Sequence, residues 1–160
     1  MTHALVLLLA LLIGAVAGAR AFSAPAAVAW GGMLGWLTLD GTWAQWVAHP
    51  ITVTVLTILA IGELVTDQLP KTPSRKTPMQ FVARLFTGGF AGAVIGTAFG
   101  YTFGGLGAGV IGAVLGTLGG YEARSRLVAR NGGRDLPIAL VEDGLAVIGG
   151  FVIVWLASVV

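Results

Sequence analysis

The sequence predicts an all-α membrane protein, and three observations carry that prediction. Hydrophobic residues make up 56% of the 160-residue chain and charged residues only 10%. Soluble domains carry about 25% charged residues, so a water-facing surface of ordinary size cannot be assembled from this composition. The apolar residues also fall into segments near the ~20 needed to cross the hydrocarbon core, and mean hydropathy is +0.91. Finally, the nine Lys and Arg residues gather between or at the ends of those segments. The expectation is one integral membrane domain over residues 1–160, a bundle of about six transmembrane or partly inserted helices with a Gly-rich helical hairpin.

Each element has its own justification. Residues 4–19, "ALVLLLALLIGAVAGA", end at Arg20. A secretory leader carries Lys or Arg ahead of its apolar run, whereas only His3 stands there, so this segment reads as the first membrane helix. A second apolar stretch runs from Pro25 to about Leu39 and is closed by "DGT", a turn signal. Pro50 suits the first turn of a third helix, which runs towards Leu69 and stops before Pro70. From Phe81 to Gly120 the chain is apolar again. Forty residues of straight helix would measure about 60 Å, twice the hydrocarbon thickness, so the segment must fold back, near "GYTFGG" at 100–105. A polar stretch over 121–136 follows, and Pro137 opens a final span.

With six crossings, Arg20, Lys71, Arg75, Lys76, Arg84, Arg124, Arg126, Arg130 and Arg134 all fall on one side, while the connections at 40–49 and 100–105 carry no Lys or Arg. The positive-inside rule places the basic loops 70–79 and 121–136 in the cytoplasm and both termini outside. Three spans followed by three would leave the halves in opposite orientations, the 3+3 inverted repeat of many secondary transporters. "IGAVAGARAF" aligns with "GGFAGAVIGTAF", but "ELVTDQL" and "ALVEDGL" sit at different depths in their helices, so support for a repeat is divided.

Between 88 and 120 every fourth position is small: Gly88, Gly92, Gly96, Gly100, Gly104, Ala108, Gly112, Gly116 and Gly120. Positions i and i+4 share a helix face, and in lipid helices associate through close backbone approach at small residues. The ladder therefore predicts tight packing between helices or between protomers, with Gly88, Gly92, Gly96, Gly112 and Gly116 at the contact. A homo-oligomer built through the hairpin is expected.

Ionisable residues inside a span cost roughly 2.5 to 3.5 kcal/mol or more each and are candidate functional sites. Glu63 lies about 20 Å along its helix, below the headgroups. Asp67 shares its face, nearer the exit, and with the basic stretch after it reads as a helix end at the cytoplasmic headgroups. Glu142 and Asp143 lie about one and a half turns into the last span, and as neighbours they cannot point to one face. One is expected to face the protein interior and the other a basic group. Arg20 and Arg84 share this depth, which gives two readings: an intramembrane salt-bridge network that locks helices together, or a polar cavity whose acids bind a cation or exchange protons.

Other chemistries find little support. With no cysteine, disulfides and thiolate sites are excluded. His3 and His49 do not suggest a metal centre, and no cofactor is implied. Trp30, Trp36, Trp43, Trp46 and Trp155 fit interfacial belts. "GGLGAG" has no strand before it and is not a nucleotide loop. No nucleophile–base set is present, so enzyme chemistry is not expected. The pI near 9.5 reflects loop charges rather than a basic face, and nucleic-acid binding is not expected.

Four motifs, "AGARAFSAP" (17–25), "GELVTDQLPKTPSRK" (62–76), "FVARLFTGGFAGA" (81–93) and "PIALVEDGLAV" (137–147), resemble a bacterial membrane family catalogued as domain of unknown function 4126. The resemblance covers nearly the whole chain. It implies a small inner-membrane protein in which Arg20, Glu63, Asp67, Pro70, Arg84, Glu142 and Asp143 match the family's polar positions. Many members have an acidic stretch after the proline, where this chain has the basic "KTPSRK". The family supplies no activity. The functional expectation is a transporter or channel for an ion or small solute, with Glu63, Asp67, Glu142 and Asp143 handling a cation or proton and Arg20 and Arg84 pairing with or releasing them. The break "GARAFSAP" would present a helix end to a substrate. The alternative is a scaffold or partner subunit whose ion pairs are structural.

Overall fold

Six α-helices and one short 3₁₀ turn account for most of the chain in the computed structural model, which describes residues 1–69 and 77–160. They are α1 (His3–Ala19), α2 (Ser23–Met33), the 3₁₀ turn (Gln45–Ala48), α3 (Pro50–Thr66), α4 (Pro78–Ala98), α5 (Thr102–Arg130) and α6 (Leu136–Val159). There is no strand among the described residues. Helices α4, α5 and α6 are long and apolar enough to cross a membrane, while α1 and α3 are apolar helices of 17 residues, about 25 Å each. Lys71, Arg75 and Lys76, expected in a cytoplasmic loop, lie outside the described residues.

Proline opens α3, α4 and α6 near their N-termini, where the missing N–H costs nothing and φ is already helical. At α3 the cap is His49, whose Nδ1 accepts the Ile51 N–H at 3.2 Å. The hairpin between α4 and α5 turns at Gly100, whose φ of +80° is a conformation that glycine adopts without a Cβ clash.

Helices α1, α4 and α5 form one tightly packed group. A Cβ built at Gly92 would overlap the Gly105 carbonyl oxygen of α5, and one at Gly88 would press on Ala113. On α5, Gly105 and Gly109 meet α4, whereas Gly112 and Gly116 meet the backbone of α1 at Leu11 and Ala15. The ladder's second arm thus serves α1, and the face that meets α4 is offset from it by one residue. Gly14 and Gly18 complete the contact from α1. This small-residue surface is consumed within one chain, so a second copy would have to pack elsewhere.

Helix α1 starts beside the α4–α5 turn, where His3 stacks on Tyr101 with ring centroids 4.4 Å apart, and ends beside Arg84. The chain then breaks at Arg20–Phe22 and α2 folds back along α3, with Trp30 Nε1 donating to Thr57 Oγ1 at 3.0 Å. Trp30, expected in an interfacial belt, is thereby tied between two helices. The second apolar stretch does not stay helical to Leu39. It stops at Met33, and residues 34–44 wrap back with Leu37, Leu39 and Ala44 buried. The segment is tied to the end of α4 by Trp43, whose Nε1 donates to Thr97 Oγ1 at 2.9 Å.

One further expectation is corrected. Most of the polar stretch 121–136 is not loop, because α5 continues to Arg130; its Glu122–Arg126 pair at i,i+4 suits an exposed helix face. On the 3+3 division, α2 has 11 residues and its counterpart α5 has 29.

Candidate functional site: the charged centre at a helix break

The break between α1 and α2 leaves carbonyls at the end of one helix and N–H groups at the start of the next. Buried groups of that kind need partners, and charged side chains from other helices supply them. Arg84, on the second turn of α4 and 2% exposed, donates through one terminal nitrogen to the carbonyls of Gly18 at 2.6 Å and Ala19 at 2.7 Å. Thr117 of α5 adds a longer bond to Gly18 at 3.3 Å. Across the break, the Glu63 carboxylate of α3 accepts the Ala21 N–H at 2.7 Å and the Phe22 N–H at 2.8 Å, one on each oxygen. A cation thus sits at the negative end of α1 and an anion at the positive end of α2, the polarity that helix dipoles favour.

Arg20 stands in the break itself and is fully buried. Its guanidinium reaches Asp143 of α6 through Nε and one terminal nitrogen, and Asp67 at the end of α3 through the other. A planar fork of donors can serve two carboxylates at once. Gln68 donates to the second oxygen of Asp143 at 2.9 Å. Glu142 points the other way, to Arg124 at 3.4 Å, and Arg124 also holds Asp135 at 2.7 Å.

All six ionisable candidates therefore belong to two neighbouring groups, and the structure departs from expectation in three places. Asp67 closes α3, but its carboxylate turns inward to Arg20. The two carboxylate oxygens of Glu63 accept backbone N–H groups, a partnership that sequence spacing cannot reveal. The break, expected to present a helix end to a substrate, has Arg84 on the end of α1 and Glu63 on the start of α2. Asp143 facing inward and Glu142 facing a basic group follow the expected split. Sequence reading passed over Gln68 and Ser23, whose Oγ is buried with no hydrogen-bond partner among the described residues.

The centre is reached from outside. A cavity of 710 Å³ lies between α3 and α4, with Ala21 and Phe22 of the break, Glu63, Asp67 and Gln80 on its walls. It does not reach Glu142. Among the described residues of the centre, Arg20, Arg84, Glu63, Asp67 and Asp143, there are three carboxylates and two guanidinium groups, which leaves one formal negative charge.

Since Glu63 bridges two N–H groups with two acceptor oxygens, Glu63→Gln replaces one acceptor by a donor. It is expected to destabilise the fold by about 1–2 kcal/mol, in the range of a lost helix cap, read as a lowered unfolding midpoint in micelles. Set against family models, curated proteins and solved structures, the chain matches none of them.

Proposed function

We propose that this protein is a small transporter or channel for an ion or small solute, with a cation- or proton-handling site at the charged centre. The observation that carries the reading is the cavity between α3 and α4 that ends on Glu63 and Asp67. An excess negative charge held among apolar helices is costly, and a proton or a bound cation is the natural neutraliser. A broken helix at that site is the arrangement that many secondary transporters use for ions.

The reading extends to topology. All six helices cross or partly enter a bacterial inner membrane, with the basic ends of α4, α5 and α6 in the cytoplasm and the charged centre in the cytoplasmic half. Membership of the domain of unknown function 4126 family is part of the same proposal. If the protein forms a homo-oligomer, the contact uses faces other than the glycine ladder.

One observation favours the scaffold instead: Glu63 and Arg84 are spent on the backbone of the break, which is a structural use. Flux separates the two. In proteoliposomes under an imposed ion or pH gradient, a transporter dissipates the gradient faster than protein-free vesicles do. A folded protein that adds nothing to the leak under any cation tested supports the scaffold.

A further inference from the structure

The cavity that carries Glu63 and Asp67 on its walls opens at its other end into a second one. Helices α3 and α4 each pack on α2 and barely on each other, so a trench separates them. A second cavity of 500 Å³ continues the first along α4, and the two share Phe22, Met79 and Ala83. The second is apolar, with Trp46, Phe86 and Phe90 on its walls. From Met79 to Phe90 the trench follows α4 for about 16 Å. Its rim is open: Met79 is 81% exposed and Phe86 77%, which in a bilayer means open to acyl chains rather than to water.

Chemistry differs between the ends. The charged side chains among the described residues of the polar end are Glu63 and Asp67, in a centre that carries one excess carboxylate. An occupant must therefore combine a positive, hydrogen-bond-donating head with a chain that replaces lipid against the aromatic end. We infer that the trench takes a bilayer-borne, single-chain amphiphile with an ammonium head, which enters sideways between α3 and α4. This rests on reading the α3–α4 cavity as the substrate site, and it names the substrate class. The head sits at Glu63 and Asp67 and the tail runs towards Phe90. A phosphate or sulfate head meets two carboxylates at the same place and is disfavoured.

The test uses the whole chain in nanodiscs of neutral phosphatidylcholine. Dodecylammonium, dodecanol and dodecyl sulfate share a chain and differ in head charge. Expected is saturable binding of dodecylammonium at least about tenfold tighter than either of the others. Ala83→Trp, at an exposed position of α4 shared by both cavities, is expected to abolish that preference while the unliganded unfolding midpoint is unchanged. Equal uptake of all three amphiphiles, or an undiminished ammonium preference in Ala83→Trp, overturns the inference. Selective binding with no flux in proteoliposomes sustains the site and defeats the transport reading. Flux of a proton or inorganic cation without selective binding overturns the inference and leaves transport standing.

Discussion

Arg20→Ala is expected to destabilise the protein by about 3–5 kcal/mol, the usual effect of breaking a buried ion pair by removing one partner. The size follows from what remains. Arg20 is fully buried and bridges α3 to α6 through Asp67 and Asp143; without it, two carboxylates face each other across the break with no cation between them. Arg20→Lys is expected to recover only part of the loss, because a compact ammonium cannot reproduce the two-sided fork. The triple change Arg20→Met, Asp67→Asn, Asp143→Asn removes the charges together and is expected to be far more stable than Arg20→Ala alone, since a buried ionic set can be replaced by neutral groups at little cost. Unfolding midpoints of the three variants, measured in one micelle, check the order.

Gly112→Ala is the second large effect. A Cβ at Gly112 overlaps the Leu11 carbonyl oxygen and approaches the Ala15 nitrogen to 2.9 Å. Both are backbone atoms of α1, which no rotamer change can move aside. Helix α1 must shift away from α5, and overpacking of that kind costs about 1–3 kcal/mol. Gly107 lies on the same helix with nothing within 4 Å of its Cβ position. Gly107→Ala is therefore expected to leave stability unchanged or raise it by up to about 1 kcal/mol, through helix propensity alone. Opposite outcomes for one methyl group on one helix separate close packing from composition.

Local signals in the sequence were the legible ones. Pro50 and Pro137 mark helix starts because proline fixes φ and gives up an N–H, and "GYTFGG" marks the hairpin because forty apolar residues exceed a membrane's thickness. The opposite facing of Glu142 and Asp143 follows from helical geometry alone. The early end of α2 at Met33 is marked by no proline or charge, only by Gly35, whose φ of +75° closes the helix but which is one of 25 glycines; the chain bends there and buries Leu37 and Leu39. At the charged centre, residue types named the participants but not the pairing. Glu63 was expected to need an arginine, yet a broken helix provides N–H donors instead, and such backbone donors are invisible in a side-chain pattern. Asp67 read as a helix end, which it is, but only the meeting of α3 with the break turns its carboxylate inward.

That pairing also decides which variant best probes transport. Glu63→Gln confounds function with a lost cap. Asp67→Asn is cleaner: Arg20 keeps Asp143, the amide keeps the shape and one acceptor of the carboxylate, and the excess negative charge disappears from the centre. The measurement is proton and monovalent-cation flux into proteoliposomes, for the unaltered protein and for Asp67→Asn, at equal reconstitution and with matched unfolding midpoints. The account predicts gradient dissipation above that of empty vesicles for the first and at least about a tenfold loss for the second, the order expected when a positioned charged group is removed. Equal flux from both, or flux from neither while both are folded, would contradict the placement of a transport site at the charged centre.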